Sequence, residues 1–195
     1  MKWYAIPLSL LLLVGLVLVG RLEIDDPELV EPLSYSGDAG ERVHAGSFSV
    51  LVNQVAATGQ IADASDLGEP EPKDTQGVWL VIVMAMSSTS TPLNIVSPVI
   101  VTDDGYEYAA TQRVFNTIAN HSAPFQPGIP QAGAMAFELP PERLPGARLR
   151  FSTSEGIDDR LAGQVEIDLG IDAARAAELT ENAPELIQIP EVGYP

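Results

Sequence analysis

Apolar and polar residues alternate along much of this chain with the two-residue period of a β-strand. In residues 43–55, Phe48, Val50 and Val52 share one face while Ser47, Ser49, Leu51 and Asn53 share the other, the pattern of a half-buried strand. It returns in 147–152, where Leu149 and Phe151 alternate with Arg148 and Arg150, and in 164–169, where Val165 and Ile167 alternate with Glu166 and Asp168. That last segment is expected to close the sheet, and residues 134–139 add a further strand. Residues 77–86, Gly-Val-Trp-Leu-Val-Ile-Val-Met-Ala-Met, differ because both alternating sets are apolar. The run is too short to cross a membrane as a helix and ends in Ser87-Ser88-Thr89-Ser90-Thr91-Pro92, so it reads as a central buried strand. Val78, Leu80, Ile82, Met84 and Met86 would face the core. The second face, with Trp79, Val81 and Val83, then needs a cover: either the polar segment 57–76, expected to be a long surface loop, or a partner in contact with those residues.

Turn residues divide the pattern into short pieces. Asp103-Asp104-Gly105, between Val99-Ile100-Val101 and Tyr106-Glu107-Tyr108, predicts a hairpin, because Asp-Gly tolerates the positive φ of a tight turn. Pro98 predicts an edge or a bend in the strand over 94–102. Residues 116–133, with Pro124, Pro127 and Pro130, read as a loop that offers Phe125 as a partner contact. Residues 172–179 form a short helical pattern, and the Pro/Glu-rich end after Asn182 is expected to be mobile.

The N-terminus follows a different rule. Residues 3–19 carry no charge, and about 17 residues at about 1.5 Å rise almost match a hydrocarbon core. Leu10-Leu11-Leu12-Leu13-Val14 and Leu16-Val17-Leu18-Val19 would face lipid, with Trp3 and Tyr4 at one interface. A cleaved signal peptide has the same layout, but Leu18 occupies a position that favours a small residue, so a single N-terminal transmembrane helix is the expectation. The domain division that results is a signal anchor at 1–21, an acidic Pro/Gly-containing tether at 22–42, a β-sandwich at 43–170, and a short helix with a mobile tail at 171–195. The N-terminus is expected in the cytoplasm and the β-domain outside the plasma membrane, with secretion as the alternative.

Composition narrows the function classes. The 195 residues include 16 glycines and 16 prolines with 6% aromatics, which favours an all-β fold of short segments. The formal charge of −17 argues against nucleic acid, whose binding requires a basic surface, and leaves a hydrophobic anchor as the route to the bilayer. With no cysteine, disulfides and thiolate chemistry are excluded. No nucleophile elbow, phosphate loop, dinucleotide motif or zinc-protease motif occurs, and His44 and His121 have no spacing that builds a metal site. The reading is therefore not an enzyme, and no cofactor is expected. The acidic turns supply only weak calcium candidates, Asp103, Asp104 and Glu107, with Asp158 and Asp159 as a second group. Asn120-His121-Ser122 is a formal glycosylation sequon that is expected to be coincidental.

The order of a phenylalanine-centred strand, Gly-Val-Trp-Leu-Val-Ile-Val, the Asp-Asp-Gly-Tyr-Glu-Tyr hairpin, a Pro-Gly loop and Ala-Phe-Glu-Leu-Pro resembles the DUF4352, telokin-like family over residues 43–169. The chain departs from many relatives at Ser87-Ser88, where an asparagine-containing turn is common. The resemblance implies an immunoglobulin-like β-sandwich, secreted or membrane-anchored in Gram-positive bacteria and similar in fold to a mycobacterial secreted immunoprotective antigen. The nearly lysine-free composition fits an actinobacterial source. The resemblance carries no catalytic residues. The function expected is that of a membrane-anchored interaction module of the cell envelope with a protein or envelope partner, or alternatively a secreted ligand- or metal-binding protein.

Overall fold

The computed structural model describes residues 11–13, 15, 32–64, 70–121, 123–154 and 162–194. Contacts divide the chain into two units, Met1–Glu31 and Pro32–Pro195. In the first, Leu11, Leu12 and Leu13 are helical and exposed and Gly15 is helical and half-buried; the rest of the expected anchor lies outside the described residues. Among the described residues no helix is long and apolar enough to cross a membrane.

The second unit is a β-sandwich. Among the described residues its strands are β1 (Leu33–Asp38), β2 (Arg42–Ala45), β3 (Phe48–Asp63), β4 (Lys73–Ser88), β5 (Asn94–Val101), β6 (Glu107–Ala109), β7 (Gln131–Leu139), β8 (Arg148–Ser154), β9 (Gly163–Asp168) and β10 (Ile187–Ile189), with an α-helix, α1 (Ala173–Glu181), between β9 and β10. One sheet has the order β1-β9-β8-β5-β6. The other has the order β10-β3-β4-β7, with β2 also paired to β3.

The facing sides of the two sheets build the main core. Phe48, Val50, Leu80, Ile82, Met84 and Phe137 from one sheet meet Ile100, Leu149, Phe151, Val165 and Ile167 from the other, and the Phe48 and Phe151 rings lie 5.9 Å apart. Alternation produces this directly, since in β8 Leu149, Phe151 and Thr153 are buried while Arg148, Arg150 and Ser152 are half-buried on the opposite face. The outward arginines pair across strands, Arg148 with Glu166 at 3.2 Å and Arg150 with Glu107. Gly77 opens the apolar part of β4 because a Cβ there would collide with the Leu139 carbonyl of β7.

Several expectations require correction. Residues 43–55 are not one strand but a hairpin, turned at Gly46 with φ 62°. The surface loop expected over 57–76 shrinks, because β3 runs on to Asp63 and β4 begins at Lys73; polar residues there still pair, since a ladder needs backbone groups rather than apolar side chains. The tether expected to reach residue 42 includes β1, which runs parallel to β9 in register Leu33↔Gly163 to Asp38↔Asp168. It is β1, not β9, that closes this sheet. The tail expected to be mobile after Asn182 contains β10, parallel to β3 with Ile187↔Ile61. The bend at Pro98 is a bulge between Val96 and Val99, with Ser97 at φ 50°, in a strand paired on both sides. The bulge removes the imino nitrogen, which has no hydrogen to donate, from the ladder.

Candidate functional site

The second face of β4 is covered by the chain itself. Trp79 and Val81 are buried in a small outer core with Ile61, Val114, Ala134, Ala136 and Ile189, and Val83 packs against it half-buried. The cover comes from the chain and not from a partner: the connection between β6 and β7 brings Val114 and the end of the chain brings Ile189, while segment 57–76 contributes Ile61 from β3 rather than a loop folded over the face. Backbone bonds fix that connection on the edge of β7, from Thr111 N–H to Ala136 C=O at 2.8 Å and from Ile118 N–H to Ala134 C=O at 3.0 Å. The buried Asp63 carboxylate accepts from the N–H groups of Phe115 and Asn116, both at 3.0 Å. The Asn120 side chain donates to the Thr111 and Val114 carbonyls at 3.2 and 3.1 Å, so in this sequon the asparagine holds the loop together. Trp79 Nε1 donates to the Lys73 carbonyl at 2.9 Å, and the Arg113 guanidinium lies 5.3 Å from its ring centroid.

Trp79 and Val81 are thus corrected from partner contacts to core residues. Phe125 is corrected as well: it is 1% exposed in the main core and bridges to Leu93 by paired backbone bonds. The aromatic that this part of the chain displays instead is Phe115, 82% exposed.

The calcium candidates gather at the β5–β6 hairpin, where arginines occupy oxygens of two of them, Asp104 and Glu107. Gly105 N–H donates to the Thr102 carbonyl, and Gly105 has φ 79°, as the Asp-Gly turn predicts. Asp104 lies 3.3 Å from Arg143 Nε and accepts from the Thr102 hydroxyl, Glu107 pairs with Arg150, and Asp103 stands against Gly146. The Arg143 guanidinium stacks 3.7 Å from the Tyr106 ring centroid and donates to the Tyr108 hydroxyl. That hydrogen bond, followed by the charge of Asp104, raises the Arg143 pKa above its ordinary value against the opposing effect of desolvation. Two arginine-paired carboxylates and a third set against Gly146 do not make an oxygen cage. Among the described residues no group of three or more His, Asp or Glu side chains converges on a metal position. Asp158 and Asp159 lie outside the described residues. His44 is exposed on β2, and His121 rests beside Phe125 with ring centroids 6.2 Å apart.

A concave feature runs along one edge of β3 beside α1. A cavity of about 300 Å³ is lined by Val52, Asn53, Gln54 and Val55 on the strand side and by Ile171, Arg175 and Leu179 on the other. A second cavity, of about 190 Å³, continues past Ala56 and Ala57 and shares Arg175 and Leu179. Local sequence builds both walls. Asp172 caps α1 by accepting from Arg175 N–H at 2.7 Å, and Ala176 and Leu179 anchor the helix on the main core. On β3 the register slips at Asn53; inward residues are Phe48, Val50 and Val52 before it and Val55 and Ala57 after it. Sequence reasoning missed this groove, although the signal was present: apolar positions change from even to odd numbers across Asn53-Gln54, the mark of one inserted residue.

No family model matches the sequence, and no curated protein does. Among solved structures, the chain is similar to an uncharacterized β-sandwich protein from Clostridium difficile 630, with a TM-score of 0.44 and 11% identity over 71% of this chain and 95% of that one. It is also similar to a conserved hypothetical protein from Bacillus anthracis, with a TM-score of 0.44 and 11% identity over 65% of this chain and 93% of that one.

Proposed function

We propose that this protein is a membrane-anchored, outward-facing binding module of the bacterial cell envelope, in which an N-terminal helix holds an immunoglobulin-like β-sandwich that recruits a protein or envelope partner without catalysis. The observation that carries the reading is the pairing of the uncharged run at residues 3–19 with a β-sandwich that leaves a groove open between β3 and α1. The sandwich core shared by two largely antiparallel sheets supports the immunoglobulin-like assignment. The strongly acidic composition supports a soluble body repelled by anionic headgroups, with attachment left to the apolar helix.

Fractionation and external proteolysis test this reading together. The protein is expected to stay with membranes through a high-salt wash and to be clipped when protease is added to intact cells. Release by salt would refute the hydrophobic anchor, and protection from protease would refute the outward orientation. The Lys2 start and the apolar run also suit a removable leader, and a mature protein beginning near Arg21 by mass spectrometry would favour a secreted binding protein instead.

A further inference from the structure

Strand β3 has an interrupted neighbour. On the edge away from β4 it is paired by β2 from Phe48 to Leu51 and by β10 from Ile61 to Asp63. Gly40 N–H takes the Val52 carbonyl at 3.0 Å, and the Thr58 hydroxyl donates to the Pro184 carbonyl at 2.7 Å. Between those two contacts, among the described residues, no strand pairs with residues 53–57 on this edge, and this stretch is the floor of the groove under α1.

The ladder determines which backbone groups face that gap. Ala132, Ala134 and Ala136 of β7 direct backbone groups away from β4, to Gly193, Ile118 and Thr111. Antiparallel residues alternate between their two neighbours, so the β4 partners of those alanines, Ala85, Val83 and Val81, turn toward β3. Val81 opposes Ala56. Ala56 therefore bonds β4, whereas Val55 and Ala57 direct both N–H and C=O into the gap. The Val52 carbonyl, which reaches Gly40 on the same side, follows the same alternation. Ala57 is 1% exposed, so its outward peptide groups lie in a sheltered place where an unpaired donor and acceptor are costly.

We infer that the groove receives an extended peptide segment of a partner protein, which adds a short strand to β3 beside α1. This rests on the binding-module reading and names its ligand class. A strand is the occupant whose chemistry fits, because β2 and β10 already continue the same edge at either end, and main-chain bonding to Val55 and Ala57 needs a regular backbone. The open stretch is about five residues, or roughly 17 Å of strand. Side chains on the α1 side meet Leu179 and Ile171, which calls for apolar residues at alternate positions. The basic side chain lining both cavities is Arg175. Its pair with Glu178 at 2.6 Å is exposed on both sides, and such a pair is weak, so the guanidinium is available to a carboxylate on the peptide.

The probe is a phage-displayed library of random linear peptides of about nine residues, long enough to fill the gap with flanks, selected on the full chain in lipid nanodiscs. Enriched peptides are expected to show apolar alternation with an acidic residue, and to slow amide exchange at Val55 and Ala57 by about tenfold or more. Val55→Pro removes an outward donor without touching the β4 ladder. It should keep the wild-type circular dichroism and weaken the peptide about tenfold, while Ala56→Pro, on the ladder side, should lose the fold. Should Val55→Pro also unfold, Leu179→Arg blocks the groove from the helix and should weaken the peptide similarly. Failure to enrich any sequence, or binding indifferent to Leu179→Arg, overturns the inference; enriched peptides without alternation or an acidic residue overturn the assigned chemistry. Purified chain binds or fails to bind whatever its cellular topology, so this outcome and that of fractionation and proteolysis are separable.

Discussion

Replacing Val81 by lysine tests whether the chain itself seals the outer face of β4. Val81 is 1% exposed, opposite Ala56 on β3 and Ala136 on β7, in one cluster with Val114 and Ile189. A milder change sets the scale: Val81→Ala removes two methyl groups, about 1.6 kcal/mol of transfer free energy, and an unfilled cavity raises the loss to roughly 2–3 kcal/mol. Lysine adds a desolvated amine. Buried lysines titrate near about 5–6 against about 10.4 in an unfolded chain, so keeping the amine neutral at pH 7 costs about 5 kcal/mol. Set against a typical stability of about 5–15 kcal/mol, V81K is expected to be marginally folded or unfolded at pH 7. The folded-state value is the lower one, so the unfolded chain binds more protons between the two values, and V81K gains stability as pH rises from about 6 to about 10. Urea denaturation followed by tryptophan fluorescence reads this well in a Trp3→Phe background, because the remaining tryptophan is Trp79 in the same cluster. A V81K midpoint equal to wild type at pH 7 would refute the sealed face, and the more so if association with a partner were lost at the same time.

Two further substitutions probe how loops are held. Asp63→Ala leaves the Phe115 and Asn116 amides without their shared carboxylate; the expected loss is about 2–3 kcal/mol in urea midpoint analysis, with faster amide exchange at both residues, and unchanged exchange would show that the loop is held by other contacts. Gly146→Ala places a Cβ at φ 71° and against the Asp103 carboxylate. It should cost at least about 1–2 kcal/mol from backbone strain alone, and removing the carboxylate in a double variant with Asp103→Gly should recover only the steric part of the loss.

What the chain displays locally was readable. The hairpin at Asp103-Asp104-Gly105 was legible because φ > 0 is a property of single residues, and the helix at α1 because its cap and first turn lie within four positions of each other. The even-to-odd change across Asn53 was equally local, yet its meaning depends on what lies beside the bulged edge. Phe125 misled because an aromatic among prolines reads alike whether its loop is displayed or folded back onto Leu93. Asp104 and Glu107 misled because their partners, Arg143 and Arg150, come from a strand and a turn more than thirty-five residues away.

The alternation of residues 77–86 determined that β4 is a strand with two dry faces. It assigned Val78, Leu80 and Ile82 to one face and Trp79, Val81 and Val83 to the other, as the two clusters show. Only the tertiary structure decided what covers the second face: Val114 from the β6–β7 connection and Ile189 from β10. It likewise decided that β1 and β10 join their sheets in parallel, and that β3 keeps five residues of edge unpaired between β2 and β10. The physical reason is that side-chain period records how much of a strand must leave water. Edge pairing is made by backbone groups common to nearly every residue, so its partners are selected by where the rest of the chain packs.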